Sequence, residues 1–234
     1  MDVNVRDETQ LKGVIFDFNS TLFKDSPQHE AAWQKFAQKY LKRSITPAEF
    51  EKYVHGRTNQ EILNYLFGRK LNDDEMRRFA TEKETDYQKL CLADSATFHL
   101  VAGAASFFDK LTDLSIPITI ATSATIENID FYFNHFHLNH WFDKQHIVYN
   151  TGNMPSKPAP DVFISALNLL HLQPDNAIVF EDSDSGIQAA EKAHIKTIVG
   201  VSSAENLDEL QQCENLRMVI KDYTDSRLDD LLVN

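Results

Sequence analysis

Residues 14–23 read VIFDFNSTLF, an apolar run that is interrupted by Asp17. Such a run, ending on a charged side chain, is typical of a parallel strand that is buried on both faces. A carboxylate at the end of a buried strand costs free energy unless a partner or a ligand compensates it. We therefore expect Asp17 to lie in a functional site, and the amide of Asn19 beside it needs an explanation.

Beyond this first strand the chain alternates short apolar runs with amphipathic stretches. Ile126, Ile129, Phe133 and Phe136 recur at the period of a helix with one buried face. Strands separated by helices of about 10–15 residues indicate a parallel, doubly wound α/β sheet, a Rossmann-like core. The sequence predicts strands at 11–18, 116–122, 145–150, 176–182, 195–201 and 216–220.

The segment 26–92 has a different texture, that of long amphipathic helices. Capping boxes, in which Thr or Asn precedes Glu by three residues, mark helix starts in TPAE (46–49), TNQE (58–61) and NDDE (72–75). We predict an α-helical cap domain at 26–92, inserted into a core domain formed by 1–25 and 93–234. The cap should lie over the strand ends, where open α/β sheets bind ligands.

Polar side chains follow several of the predicted strands at the points where they end. The carboxyl ends of parallel strands meet at one edge of a sheet, so these side chains should converge there. An aspartate, a hydroxyl, a lysine and an acidic pair can attack phosphorus, hold a phosphate and bind Mg²⁺. The residues are Asp17, Thr122, Ser123, Lys157 in a proline-rich loop, Glu181 and Asp182.

These residues, in this order, resemble the motifs of the haloacid-dehalogenase-like superfamily, in its branch with a helical cap. The family's first motif, DxDGT[LV], is matched with two departures, and its third and fourth motifs are matched most specifically. The four matches are DFNSTL at 17–22, Thr122 in ATSAT, SKPAPDVF at 156–163 and EDSDSGIQAA at 181–190. The overall likeness is to the β-phosphoglucomutase and phosphoglycolate-phosphatase group.

The resemblance implies a role for each catalytic position. Asp17 would be the nucleophile that forms an aspartyl-phosphate, which divides one difficult displacement into two easier ones. Lys157 would neutralise both Asp17 and the phosphoryl oxygens. Thr122 and the backbone N–H of Ser123 would donate hydrogen bonds to those oxygens.

The resemblance also implies Mg²⁺ as the cofactor. Asp17 and Asp182 would supply carboxylate oxygens, Glu181 would act directly or through water, and Asn19 would supply its backbone carbonyl. A backbone carbonyl survives any change of side chain, so the metal site should persist with asparagine at position 19. The ion would stabilise the charge of the transition state.

Asn19 stands where phosphatases of the family carry the aspartate that protonates the leaving oxygen and later activates water. An amide cannot exchange a proton at neutral pH, and losing such a group costs about 10²–10⁴-fold in rate. Ser20 in place of glycine is a second departure, at a turn that can require unusual backbone dihedral angles. Asn19 can also be an engineered residue, or one whose deamidation restores a carboxylate.

Four explanations of Asn19 are open at this point. The first is a phosphatase that is slow or handles good leaving groups, and the fourth is a phospho-accepting module without efficient turnover. The second is C–P cleavage, as in phosphonoacetaldehyde hydrolases. It is disfavoured because Asn59 falls where those hydrolases carry an imine-forming lysine. The third is halide displacement. It is disfavoured because the enzymes that displace halide carry tyrosine at the position that Asn19 occupies here.

Three cap residues are candidates for substrate contacts. Arg57 in HGRT and Lys83 in TEKETDY fall where related capped enzymes carry polar groups that face the substrate. His29 lies just after the hinge expected near 24–27, and it is a nearby group able to take over acid–base duty. We expect these side chains at the cleft between cap and core.

The composition restricts partners and location. A net charge of −12 argues against nucleic acid or an anionic membrane as the main partner. Cys91 and Cys213 form no metal-type pair, residues 1–10 are too polar for a signal peptide, and no apolar run approaches the ~18 residues of a membrane span. We expect a cytoplasmic protein, monomeric or at most dimeric.

The expected function is Mg²⁺-dependent hydrolysis of a small phosphorylated metabolite through Asp17, impaired or specialised by Asn19. A sugar phosphomutase of the β-phosphoglucomutase type is the close alternative. A non-enzymatic phosphate-binding or phospho-accepting module is the alternative from a different class.

Overall fold

The computed structural model describes residues 12–152, 154–203 and 206–233. Residues 1–10, for which we predict no signal peptide, and the first residue of the strand expected at 11–18 lie outside the described ranges. Five parallel strands form one sheet, in the spatial order β2-β1-β3-β4-β5. They are β1 (Gly13–Phe16), β2 (Ile118–Ile120), β3 (Ala177–Glu181), β4 (Thr197–Val201) and β5 (Met218–Ile220).

Four helices follow β1 consecutively: α1 (Ser26–Leu41), α2 (Pro47–Tyr53), α3 (Asn59–Phe67) and α4 (Asp73–Ala93). The remaining helices alternate with the other strands: α5 (Ala104–Asp113), α6 (Ile126–Phe136), α7 (Asp161–Leu169), α8 (Asp184–Lys192), α9 (Leu207–Gln212) and α10 (Leu228–Val233). The three predicted capping boxes are confirmed, with Thr46, Thr58 and Asn72 as the N-cap residues. Among the described residues, none of the helices has the length and apolarity that crossing a bilayer requires.

Helices cover both faces of the sheet, which confirms the doubly wound α/β fold. Successive residues of β1 and β3 point to opposite faces, so each strand contributes to two apolar clusters. One face contains Val14, Phe16, Phe180, Phe108 of α5, Ile129 of α6 and Leu228 of α10. The other contains Ile15, Val179, Phe163 of α7, Ile187 of α8 and Leu210 of α9.

The helices α1–α4 share an apolar cluster of their own, which includes Trp33, Phe36, Phe50, Leu63 and Phe79. This separate cluster supports the division into a core of 1–25 and 93–234 and a cap of 26–92, which remains our proposal. The end of α4 packs against the core, because Tyr87 and Cys91 are buried in the cluster that covers the sheet.

The strand predicted at 145–150 is wrong. Residues 144–146 form a 3₁₀ turn, and only Val148 pairs with the sheet, through a single bridge to Ala121. The Val148 N–H donates to the Ile120 carbonyl, and the Val148 carbonyl accepts from the Thr122 N–H. The ladder ends there because the N–H of Asn150 turns to the Ala124 carbonyl instead.

A tight turn connects β1 to the first helix. The N–H groups of Leu22 and Phe23 both bond to the Phe18 carbonyl, and Ser20 N–H donates to the Phe23 carbonyl at 2.6 Å. The expected unusual dihedral angle is confirmed, since Ser20 has a φ of 60°. This left-handed conformation costs a residue with a Cβ about 1–2 kcal/mol. The Ser20 hydroxyl, 2.5 Å from that of Ser26, offsets part of the cost.

Ser20→Gly removes the Cβ that opposes this conformation, whereas Ser20→Ala keeps it and loses the contact with Ser26. We expect the glycine variant to exceed the alanine variant in free energy of unfolding by about 1 kcal/mol. The difference is not larger because glycine also gains entropy in the unfolded chain. Urea denaturation measures both variants, and equal stabilities would contradict backbone strain at Ser20.

Candidate active site

The ends of β1 and β3 place two carboxylates on either side of one lysine. Asp17 follows β1, Glu181 ends β3, and positions 16 and 180 are in register across the two strands. Lys157, in the loop before α7, places Nζ 2.6 Å from Asp17 Oδ1 and 2.5 Å from Glu181 Oε1. All three side chains are buried. The ammonium group compensates carboxylates that would otherwise be costly to bury.

Glu181 is also held by the beginning of α8. Its Oε2 accepts hydrogen bonds from Asp182 N–H at 2.7 Å, Ser183 N–H at 2.9 Å and the Ser183 hydroxyl at 3.0 Å. A Cβ at Gly186 would lie 1.7 Å from Glu181 Oε1, so the glycine of EDSDSG leaves room for this carboxylate. Both oxygens of Glu181 have partners, which favours a supporting role, with any contact to a cation made through water.

Asp182 adds a third carboxylate to the cluster. One oxygen each of Asp17, Glu181 and Asp182 lies within 4.8 Å of the others, and Thr21 Oγ1 donates to Asp182 Oδ1 at 3.1 Å. Burial, and then the charges of Glu181 and Asp17, raise the pKa of Asp182 well above its usual value. When all three carboxyls are ionised, Lys157 offsets one of three negative charges. The oxygen donors and the excess charge therefore fit a hard divalent cation such as Mg²⁺.

Two opposing effects act on the pKa of Asp17, namely burial and the charge of the adjacent ammonium group. Burial raises the pKa of Asp17 from 3.8 to about 7. The charge of Lys157 opposes this shift, and the charge of Glu181 adds to it. Burial alone would lower the pKa of Lys157, but the charges of Asp17 and Glu181 outweigh it and raise that pKa. Added positive charge would shift Asp17 towards the carboxylate, the form that acts as a nucleophile.

Lys24 is a second lysine near these carboxylates, and no sequence motif indicates it. It is half-buried, and its ammonium group donates to the Ser20 carbonyl. Burial lowers the pKa of Lys24, while the charges of Asp182, Asp25 and Asp17 oppose that shift. A lysine in a hinge segment carries no local sequence signal that distinguishes it from a solvated charge.

The amide of Asn19 is held by a set of polar side chains. Its Nδ2 donates to Asp25 Oδ2 at 2.6 Å and to the Tyr132 hydroxyl at 2.7 Å. The Tyr87 hydroxyl lies 2.5 Å from Asp25 Oδ2 and 2.9 Å from the Tyr132 hydroxyl. On the other side of the amide, Thr122 Oγ1 lies 3.4 Å from Asn19 Oδ1.

Sequence reasoning missed Asp25, Tyr87 and Tyr132 as members of the site. Asp25 occupies the N-cap position of α1, where an aspartate is expected to cap a helix, yet its side chain makes no capping bond. Tyr87 and Tyr132 come from α4 and α6, and each is one buried aromatic residue among many. Their polar ends meet only in the folded protein.

His29 and Lys83 extend this arrangement into the cap. His29 Nε2 lies 3.3 Å from Asn19 Nδ2 and 3.4 Å from Asp25 Oδ2. Lys83 Nζ lies 2.7 Å from His29 Nδ1 and donates to both oxygens of Glu84, at 3.1 and 3.2 Å. Lys83 is buried. The structure therefore brings His29 beside Asn19 and Asp25 and directs Lys83 towards His29 and Glu84.

Arg57 and Ser123 are both half-buried. Within the described part of the chain, the Arg57 guanidinium makes no hydrogen bond and no ion pair. Its neighbour Gly56 has a φ of 70°, and a Cβ there would lie 2.3 Å from Ser185 Oγ. The cap loop thus packs against the first turn of α8. Ser123 follows Thr122 beyond the end of β2.

Lys157→Met should lower the free energy of unfolding by about 3–5 kcal/mol near neutral pH, because it leaves Asp17 and Glu181 buried without a counter-charge. Unpaired buried carboxyls have raised pKa values, so the variant should lose stability as the pH rises from about 5 to about 7.5. Urea denaturation at both pH values measures this loss.

The matched control for this substitution is Lys196→Met. Lys196 forms an exposed ion pair with Asp175 at 2.9 Å, and such a pair contributes less than about 1 kcal/mol. Equal destabilisation by the two substitutions would contradict the assigned role of Lys157.

Comparison with known proteins places this geometry in a family. A family model described as haloacid dehalogenase-like hydrolase matches residues 14–200. The crystal structure of a hydrolase of family IA, variant 3, from Entamoeba histolytica superposes with a TM-score of 0.83 at 31% sequence identity. That comparison covers 95% of this chain and 100% of the other.

Two phosphatases are similar in sequence. The chain is 27% identical over 222 residues to a chloroplastic 5-amino-6-(5-phospho-D-ribitylamino)uracil phosphatase of Arabidopsis thaliana, covering 94% of this chain but only 56% of that protein. It is 26% identical over 186 residues to the fructose-1-phosphate phosphatase YqaB of Escherichia coli, covering 80% and 94%. It is also similar to β-phosphoglucomutases, as its motifs predict. The chain belongs to the haloacid dehalogenase-like hydrolase family.

Proposed function

We propose that the protein is a Mg²⁺-dependent phosphohydrolase that cleaves a small phosphate monoester, of the sugar-phosphate class, through an aspartyl-phosphate at Asp17. The observation that carries the proposal is the buried Lys157 ammonium 2.6 Å from Asp17 Oδ1, beside two further carboxylates. The substrate class is supported by the two phosphatases of phosphorylated sugars and sugar derivatives that the chain resembles.

In the first step, an Asp17 oxygen attacks phosphorus while the ester P–O bond breaks, and Lys157 offsets charge on the phosphoryl oxygens. In the second step, water attacks the phosphorus and releases phosphate and Asp17. Thr122 and the N–H of Ser123 hold the phosphoryl oxygens. Because Asn19 has no proton to exchange, the departing alcohol takes its proton from water or another side chain.

The proposed cation ligands are Asp17, Asp182 and the backbone carbonyl of Asn19, with Glu181 acting through water because both of its oxygens already have hydrogen-bond partners. Their carboxylate oxygens cluster within 4.8 Å, and the cluster carries more negative charge than Lys157 offsets. When bound, Mg²⁺ would supply electrostatic stabilisation of the transferring phosphoryl group.

The cap residues differ in how they would serve a substrate. Arg57 is suited to a second anionic or hydroxyl group of the substrate, since its guanidinium is unpaired within the described residues. His29 lies beside Asn19, with Nε2 3.3 Å from Nδ2, and it would exchange a proton with the reacting oxygens through a water molecule. Lys83 would act by holding His29 Nδ1, because its other bonds go to Glu84.

A phospho-accepting module without turnover is the second candidate, and the amide of Asn19 favours it. Breakdown of an aspartyl-phosphate is faster when a carboxylate activates the attacking water, and an amide cannot do so. Release of many phosphates per protein molecule would exclude such a module.

A panel of sugar and polyol phosphates tests the proposed activity. We expect Mg²⁺-dependent release of phosphate that Asp17→Asn abolishes, because an amide is not a nucleophile for phosphorus. Asp184→Asn is the matched control, since Asp184 lies in the same motif region but is exposed, and it should retain the wild-type rate. An isomerised sugar phosphate without phosphate release would indicate a phosphomutase. No reaction on the whole panel, or full activity of Asp17→Asn, would contradict the proposal.

Cation binding should raise the melting temperature more at about pH 7.5 than at about pH 5. The pKa values of Asp17 and Asp182 are raised, so these carboxyls hold protons at the lower pH and a cation must displace them. Calorimetry with Mg²⁺ or with a chelator measures the shift. A shift that is independent of pH, or that survives Asp182→Asn, would argue against this cation site.

Asn19→Asp should increase phosphate release by at least about 10-fold, because it introduces a proton-exchanging group beside the reacting oxygens. The new carboxyl would contact Asp25. Two adjacent carboxylates share a proton, so one of them stays protonated near neutral pH. Steady-state kinetics on the best substrate of the panel measures the change. An unchanged or lower rate would show that Asn19 serves a different reaction.

A further inference from the structure

Asp25 is a buried carboxylate that the proposed chemistry does not yet use. Its Oδ1 accepts the Ser20 N–H at 3.0 Å, and its Oδ2 accepts from Asn19 and from the Tyr87 hydroxyl. The Ser20 N–H and the Tyr87 hydroxyl thus supply a donor to each of its two oxygens, a geometry that fits a carboxylate that accepts hydrogen bonds and donates none.

This carboxylate dictates which way the Asn19 amide points. At 2.6 Å from an acceptor-only oxygen, the amide must present its nitrogen, since the carbonyl oxygen would meet Asp25 with no hydrogen between them. The second hydrogen of the same nitrogen goes to the Tyr132 hydroxyl, at 2.7 Å. Both amide hydrogens are thus committed to the side of the hinge and α6.

The tyrosine hydroxyls complete a network in which each bond has one possible direction. Tyr87 donates its proton to Asp25, so in the 2.9 Å contact between the two hydroxyls Tyr132 donates and Tyr87 accepts. Tyr132 is then left to accept from Asn19. Every buried donor has an acceptor, and such a satisfied network rigidifies the groups it contains.

The remaining atom of the amide, Oδ1, faces Thr122 Oγ1 at 3.4 Å. We propose that Asp25, together with Tyr132, is a positioning residue that fixes the Asn19 amide with its oxygen towards the reacting centre. There Asn19 orients a hydroxyl group, of water or of the substrate, by accepting its hydrogen bond without taking its proton. The role towards the hydroxyl group rests on the proposed function, whereas the fixed orientation of the Asn19 amide does not depend on it.

The first test needs no activity. In ¹H–¹⁵N spectra, the side-chain amide pair of Asn19, identified by its loss in Asn19→Asp, should be protected from solvent exchange and displaced from exposed asparagine signals. Asp25→Asn and, separately, Tyr132→Phe should both shift this pair and speed its exchange. Asp94→Asn neutralises another carboxylate that accepts two side-chain hydrogen bonds but does not contact Asn19 or its partners, and it should leave the pair unchanged.

An Asn19 pair that is the same in wild type and in both variants would overturn the proposal. Tyr132→Phe keeps the test available if Asp25→Asn does not fold, because it removes one of the two acceptors and preserves the ring.

Swapping the side chains at positions 19 and 25 gives an independent test, in which the melting temperature of each variant is measured. Asn19→Asp alone places two carboxylates in contact, whereas Asn19→Asp with Asp25→Asn restores an amide–carboxylate bond in the opposite direction. We expect the double variant to melt at a higher temperature than Asn19→Asp alone, although it carries one more substitution. Additive shifts would mean that the two side chains do not interact and would contradict the proposal.

Kinetics separate a positioning role from a purely structural one. Asp25→Asn should lower kcat by about 10–100-fold with little change in KM, because a turned amide misplaces the reacting hydroxyl more than it weakens binding. An unchanged kcat, or a loss no larger than that of Asp94→Asn, would overturn this role. Absence of turnover in the wild type would count against the proposed function alone, and the spectra and melting temperatures would still decide whether Asp25 fixes Asn19.

Discussion

The ammonium group of Lys157, shared between Asp17 and Glu181, is the interaction on which the rest of the site depends. Parallel pairing of β1 with β3 brings two carboxylates together at the end of the sheet, and both are buried. Without a cation between them, either they would take up protons or the strand ends would separate. The first turn of α8 completes the arrangement by donating hydrogen bonds to Glu181 and by leaving space at Gly186. Asp182 then supplies the negative charge that a divalent cation would neutralise.

A second polar network connects this site to the cap. Tyr87 of α4 meets Tyr132 of α6 at 2.9 Å, and buried Glu84 accepts from Asn128 at 2.8 Å. Such bonds between buried groups have a defined geometry, so they favour one position of the cap relative to the core. Asn19 belongs to this network through its nitrogen and to the reacting centre through its oxygen. An aspartate at this position would bring a second negative charge against Asp25, which gives a physical reason for an amide here.

The sequence predicts the fold class well because alternating strands and helices and three capping boxes are local patterns. The strand expected at 145–150 failed because an apolar run does not show that only Val148 finds a partner in the sheet. Strand ends are also visible in a sequence, so the grouping of Asp17, Lys157 and Asp182 could be expected before the structure was known.

The network around Asn19 could not be expected in the same way. Asp25 resembles an ordinary helix cap, and the hydroxyls of Tyr87 and Tyr132 converge only after two distant helices pack together. Lys83 was expected to face the substrate, and the structure shows its ammonium group directed towards His29 and Glu84, because a buried lysine needs acceptors for its hydrogens.

The most direct test of the proposed chemistry is to trap the phosphorylated carboxylate. Borohydride reduces an aspartyl-phosphate, but not a free carboxylate, to homoserine, and peptide mass spectrometry then locates the modified residue. Protein incubated with Mg²⁺ and a phosphate ester before reduction should carry homoserine at position 17. Phosphate release with an unmodified Asp17, or homoserine at Asp182 instead, would contradict nucleophilic catalysis by Asp17.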